Sequence, residues 1–105
     1  MLRPSVLALS LLCPFLTAAP AIADSPTVVM KNFDFSPMAI TVPVGTKVTW
    51  KNLDGEPHTV TSADGVFRSP ALDQNDSYSY TFTKAGVYRY ICSIHPRMMA
   101  SVTVK

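Results

Sequence analysis

Near its C-terminus the chain reads Cys92-Ser93-Ile94-His95-Pro96-Arg97-Met98-Met99, which sets a thiol, an imidazole and a thioether at Cys-x2-His-x2-Met spacing. The only other histidine is His58, in Pro57-His58-Thr59-Val60. Taken singly, each residue has an ordinary structural role: buried cysteine is usually inert, histidine is usually hydrogen-bonded framework, and methionine usually fills gaps in a core. Taken together, they form a recognisable donor set. Two imidazoles and a thiolate in a trigonal arrangement, with a weak axial thioether, hold copper in mononuclear electron-transfer centres. Soft sulfur suits copper(I), imidazole suits both oxidation states, and a fixed intermediate geometry limits rearrangement when the electron moves.

The same residues argue against catalysis. A Cys92–His95 nucleophile pair would need a third, orienting residue and a substrate cleft, and the sequence offers neither. A copper oxidase or reductase would need further histidines for a second copper centre, whereas this chain has two, both already engaged. No enzymatic activity is expected. Charge gives no footing for nucleic acid or a membrane surface as partner: nine Lys+Arg against seven Asp+Glu give a formal charge of +2, with no basic run.

The elements that must position these donors read as strands. Glycines fall in turn-like settings at Val44-Gly45-Thr46, Asp54-Gly55, Asp64-Gly65 and Ala85-Gly86, and the segments between them are rich in Val, Thr, Tyr and Phe. Ser77-Tyr78-Ser79-Tyr80-Thr81-Phe82 and Lys47-Val48-Thr49-Trp50-Lys51 alternate polar and apolar, as half-buried strands do. Further strands are expected at Thr27–Lys31, Ile40–Val42, Pro57–Thr61, Val87–Cys92 and Ser101–Val104. With no convincing helix, the pattern predicts an all-β fold, a Greek-key β-sandwich of about seven or eight short antiparallel strands. Period two puts Tyr88, Tyr90 and Cys92 on one face of their strand, so a buried Tyr90 brings Cys92 inward with it. It also pairs His58 with Val60, opposite Thr59 and Thr61. Tyr88, just after Ala85-Gly86, has the position of a tyrosine corner, and Trp50 is expected in the core.

The second cysteine, Cys13, lies in a segment with Arg3, an apolar stretch from Val6 to Leu16 and the small-x-small pattern Ala21-Ile22-Ala23. These are the parts of a cleavable secretory signal peptide, expected over residues 1–23. Its apolar run of 11 residues is short of the roughly 20 that a membrane span needs, so no stable membrane insertion is expected. One arginine rather than two favours the general secretory route. Removing 23 of 105 residues leaves 82, a single domain over 24–105 with a formal charge of +1 and Cys92 as its one cysteine. A domain that small is often marginal without a disulfide or metal, and a copper ion tying His58 to the Cys92–Met98 loop would supply the missing cross-link.

Several of these segments together resemble the cupredoxins, the type 1 blue copper proteins, and most of all the small amicyanin-like and plastocyanin-like members. They are Phe35-Ser36-Pro37, the run from Val44 to Asn52, Pro57-His58-Thr59-Val60, the run from Phe82 to Tyr88, and Cys92-x-x-His95-Pro96-x-Met98. The resemblance spans Val28 to Val104, and the short Cys-to-Met loop is similar to that of amicyanin. It implies one copper ion per chain, cycling between Cu(II) and Cu(I), held by His58, Cys92 and His95 with Met98 axial and Met99 facing away. It also implies that Asn52 ties the two ligand loops together near the cysteine. The expected function is a soluble, monomeric one-electron carrier, periplasmic or otherwise exported, with copper delivery or homeostasis as the alternative. Redox partners would dock weakly near His95, on apolar surface from Pro57 and Pro96. Two positions depart from the pattern. Thr59 stands where asparagine is common, leaving its role to a backbone bond, and Arg97 adds a positive charge that favours an acidic partner.

Overall fold

The computed structural model describes residues 25–105; the expected leader, its cleavage site before Asp24 and Cys13 lie outside the described residues. Eight strands are present among those residues: β1 (Thr27–Lys31), β2 (Asp34–Ser36), β3 (Ala39–Val42), β4 (Lys47–Asn52), β5 (Thr61–Ser62), β6 (Ser77–Thr81), β7 (Gly86–Ile91) and β8 (Met99–Val104). They form two four-stranded sheets, ordered β2-β1-β4-β6 and β3-β8-β7-β5. Alternation along each strand sends one side chain in two between them. In β4, Val48, Trp50 and Asn52 are buried and Lys47 is exposed; in β8, Val102 and Val104 are buried.

Trp50, fully buried, sits at the middle of the core, with ring contacts to Tyr90 at 5.5 Å and Phe67 at 5.7 Å. Its indole N–H and the Tyr90 hydroxyl are both buried without a well-formed hydrogen bond. Burial pushes the Tyr90 hydroxyl up to about 12, and the neighbouring Trp50 N–H offsets only part of that shift. Tyr88 makes the expected corner: its hydroxyl donates to the Lys84 carbonyl at 2.7 Å.

Three features differ from the sequence-based expectation. First, the sheets are mixed, since β1 pairs parallel with β4 and β3 pairs parallel with β8. The chain passes between sheets after β2, β3, β4, β5 and β6, so strands that become neighbours can run the same way without a hairpin between them. Second, β2 is an additional strand, too short to show a period of its own. Third, the expected strand Pro57–Thr61 is mostly irregular. Only the pair β5 remains, preceded by a single bridge between His58 and Leu72. His58, Thr59 and Val60 are consecutively buried there, so strict alternation fails at the residue that matters most.

The topology gives the sandwich two distinct ends. β1, β4 and β7 finish at one end, where β8 begins, and the loops after β4 and β7 carry His58 and Cys92.

Candidate metal centre

The site is built by two loops. The first runs from Leu53 to Val60 and is anchored at its start by Asn52, which is fully buried. Its side-chain amide donates to the carbonyls of Glu56 at 2.9 Å and Leu72 at 2.8 Å, while its oxygen accepts from Asp54 N–H at 2.8 Å. The His58 backbone is then clipped to Leu72 in both directions, at 3.1 and 2.7 Å. The second loop, Cys92 to Met98, closes on itself: Cys92 N–H donates to the Met98 carbonyl at 3.1 Å, and Met98 N–H to the His95 carbonyl at 2.9 Å.

These loops bring His58, Cys92 and His95 together, with their donor atoms within 4.8 Å of one another. His58 Nδ1 lies 3.2 Å from His95 Nδ1, and Cys92 Sγ lies 3.8 Å from each. The point equidistant from the three atoms is about 2.1 Å from each, an ordinary zinc–imidazole distance and about 0.2 Å short of the usual zinc–thiolate distance of about 2.3 Å. The donor set and its spacing therefore suit a soft or borderline first-row metal ion, which His58, Cys92 and His95 would hold. Met98, only 3% exposed, closes the second loop with a buried thioether, whereas Met99 opens β8 and is 59% exposed. His58 and Cys92 are fully buried; His95 is half-buried and reaches the surface.

Groups behind the donors fix their orientation. His58 Nε2 contacts Asp54 Oδ2 at 2.8 Å. A carboxylate only accepts, so the ring proton is on Nε2 and the Nδ1 lone pair faces the other donors. Asp54 also accepts from Asn32 N–H at 2.8 Å and Phe33 N–H at 2.9 Å. Desolvation alone would raise its pKa, but the bonds from Phe33, His58 and Asn32 outweigh it and hold the carboxyl below the ordinary aspartate value. The Cys92 sulfur accepts from Thr59 N–H at 3.3 Å.

Thr59 and Asn52 differ from what the resemblance implied. The Thr59 hydroxyl accepts from Ser93 N–H at 2.8 Å and pairs with the Ser93 hydroxyl at 2.9 Å. Its side chain, as well as its backbone, thus joins the two loops. Asn52 makes no bond near Cys92; all three of its bonds stay within the first loop and the segment carrying Leu72.

Two further residues of the site are silent in the sequence. Asp54 reads as an ordinary Asp-Gly turn, although a carboxylate four residues before a ligating histidine is a signal that could be looked for. Phe33 gives none. It packs edge-on against both His58 and His95, with ring centroids at 5.1 and 4.8 Å. Outside this pair, a shallow groove is lined by Phe33, Asp34, Ile94, Pro96 and Arg97, while Pro57 is half-buried.

Comparison with known proteins bears on the same residues. Residues 5–104 match the cupredoxin-like domain family. Amicyanin of Paracoccus denitrificans is 36% identical over 94 residues, which span 84% of this chain and 72% of that protein. Plastocyanin of Sambucus nigra is 33% identical over 89 residues, covering 67% of this chain and 86% of the relative. Among solved structures, the Cu(I) form of an amicyanin variant superposes with a TM-score of 0.73 at 34% identity, covering 80% of this chain and 86% of that one.

Proposed function

The chain belongs to the cupredoxin-like family, and on that premise we propose that His58, Cys92 and His95, with the buried Met98 thioether as a fourth donor, would hold the copper ion of a one-electron carrier. The observation that carries this reading is the triangle of donor atoms at 3.2, 3.8 and 3.8 Å. Copper supplies the one-electron couple, Cu(II)/Cu(I).

The rest is the work of the chain. Asp54 keeps the Nδ1 lone pair of His58 directed inward, and Thr59 N–H donates to the thiolate and withdraws charge from it. The self-closed Cys92–Met98 loop holds three of the four ligands at set spacing. Each of these restraints is a bond that does not pass through the metal, so the donors keep one arrangement as the charge of the centre changes. That favours electron transfer over delivery of the ion, which requires the donors to open. We read the function as that of a carrier and not of an enzyme, in line with the amicyanin and plastocyanin relatives.

His95 is the ligand nearest solvent, and the surface around it is the docking face, with Pro57 and Pro96 as apolar contacts and Arg97 as a positive charge. We read residues 1–23 as an export leader and 24–105 as the working domain, monomeric and periplasmic or otherwise exported. No helix among the described residues is long and apolar enough to cross a membrane. Intact-mass measurement on the exported protein checks this, with a chain beginning at Asp24 as the expected result.

Copper(II) added to the purified protein is expected to produce intense thiolate-to-copper absorption in the visible and narrow copper hyperfine splitting in the EPR spectrum. A colourless protein with ordinary copper EPR would overturn the assignment. The metal-loaded protein is also expected to melt above the metal-free form, because an ion bound to the folded state alone stabilises it by mass action.

A further inference from the structure

Asn32 and Phe33 adopt left-handed backbone in succession, with φ of 55° and 60°. Asparagine tolerates that region; for phenylalanine it is an outlier that needs a reason. Core burial does not provide one, because Phe33 is 44% exposed and takes no part in the hydrophobic core. What holds the turn is the Asp54 carboxylate, gripped by both N–H groups while it also binds His58 Nε2. What the turn presents is a ring. Phe33 meets His58 at an interplanar angle of 83° and His95 at 87°, and the two imidazoles meet each other at 72°. The three rings are mutually near perpendicular, each edge-on to another, as aromatic groups prefer to pack. Strained backbone kept at a site marks a functional constraint.

We propose that Phe33 is a positioning residue that braces both copper-ligating imidazoles and slows loss of the metal. The inference rests on the copper reading above. For the ion to leave, at least one imidazole must turn out of the donor triangle, and Phe33 lies against both rings. Asp54 makes the brace a single unit, since one carboxylate fixes the His58 ring and the turn that carries Phe33.

The test measures copper loss. The full chain is loaded, reduced to its Cu(I) form and mixed with excess bicinchoninate, and transfer is followed by the absorbance of the chelate. Phe33→Leu, which keeps bulk but loses the ring, and Phe33→Gly, which also suits the left-handed backbone, are expected to release copper roughly tenfold faster than the wild type, the scale set by removing two edge-on ring pairings. Phe33→Tyr should stay within about twofold, since its ring preserves both pairings. In metal-free form Phe33→Gly should melt no lower than the wild type, a result that separates a brace on the metal from a general support of the fold. Wild-type release rates in both Phe33→Leu and Phe33→Gly would overturn the brace while leaving the copper site intact. A wild-type protein that takes up no copper would overturn both.

Discussion

Asn52→Ala removes a side chain that is fully buried and fully used. Three hydrogen bonds go with it, but their losses are unequal. The Leu72 carbonyl keeps its second donor, His58 N–H at 3.1 Å, so it is not stranded. Asp54 N–H and the Glu56 carbonyl lose their partners in a half-buried loop, where water replaces them only in part. At about 1 kcal/mol net per bond, the three bonds amount to about 3 kcal/mol. That is a large share of the roughly 5 to 15 kcal/mol that holds a domain together. For a domain of this size the melting temperature falls by about 4 to 8 °C per kcal/mol, so a drop of more than about 10 °C is expected for the metal-free protein, followed by circular dichroism.

Asn52→Asp sharpens the test. It turns a carboxylate oxygen toward the Glu56 and Leu72 carbonyls, so its folded-state pKa must rise above the ordinary aspartate value of about 3.9. A raised carboxyl pKa costs stability as pH rises above the unfolded value, so this variant should recover toward the wild type on acidification, whereas Asn52→Ala should not. In the copper-loaded protein Asn52→Ala should leave the visible absorption nearly unchanged, because Asn52 makes no bond to Cys92. A metal-free Asn52→Ala protein melting within about 3 °C of wild type would refute the reasoning from three working bonds.

Met98→Gln should shift the visible spectrum and the reduction potential strongly and Met99→Gln should not, since only Met98 is buried at the loop end; equal shifts in both variants would remove Met98 as axial ligand. Arg97→Glu should change the salt dependence of electron exchange with an acidic partner through the association rate more than the affinity, and an unchanged salt dependence would exclude Arg97 from docking. Tyr90→Phe removes a buried hydroxyl that lacks a well-formed bond, so its melting temperature at pH 7 should equal or exceed that of wild type. With its folded pKa raised to about 12, the neutral tyrosine's contribution is present below about pH 10 and is lost as pH rises toward 12. The variant's stability should therefore fall less steeply over that range.

The sequence carried the donors and most of the frame, and the reason is physical. Cys92, His95 and Met98 are close in the chain, so their spacing is also their geometry once β7 and β8 form a hairpin around them. Alternation in β4 and along Val87–Cys92 placed Trp50, Tyr90 and Cys92 inside without any tertiary information. What could not be read depends on contacts between segments far apart in the chain. Phe33 reaches the histidines only because a left-handed turn, held by an aspartate 21 residues away, aims it there. The buried run His58-Thr59-Val60 escaped a period-two reading because a single bridge to Leu72, and no ladder, sets its path. The roles of Asn52 and Thr59 divided differently from the resemblance for a similar reason: which side chain spans two loops depends on their separation, which the sequence does not display.

The strand directions bear on how the protein can be tethered. Thr27 begins β1 and Val104 ends β8 at the end of the sandwich opposite the donor loops, and six residues of extended strand put roughly 17 Å between Lys105 and the metal end. Thr27 and Lys105 therefore lie on the side of the molecule away from His95. A linker, a fused domain or an electrode attached through Lys105 presents the redox face outward with its docking surface uncovered, so attachment to a surface and exchange with a soluble partner do not compete for the same side of the molecule.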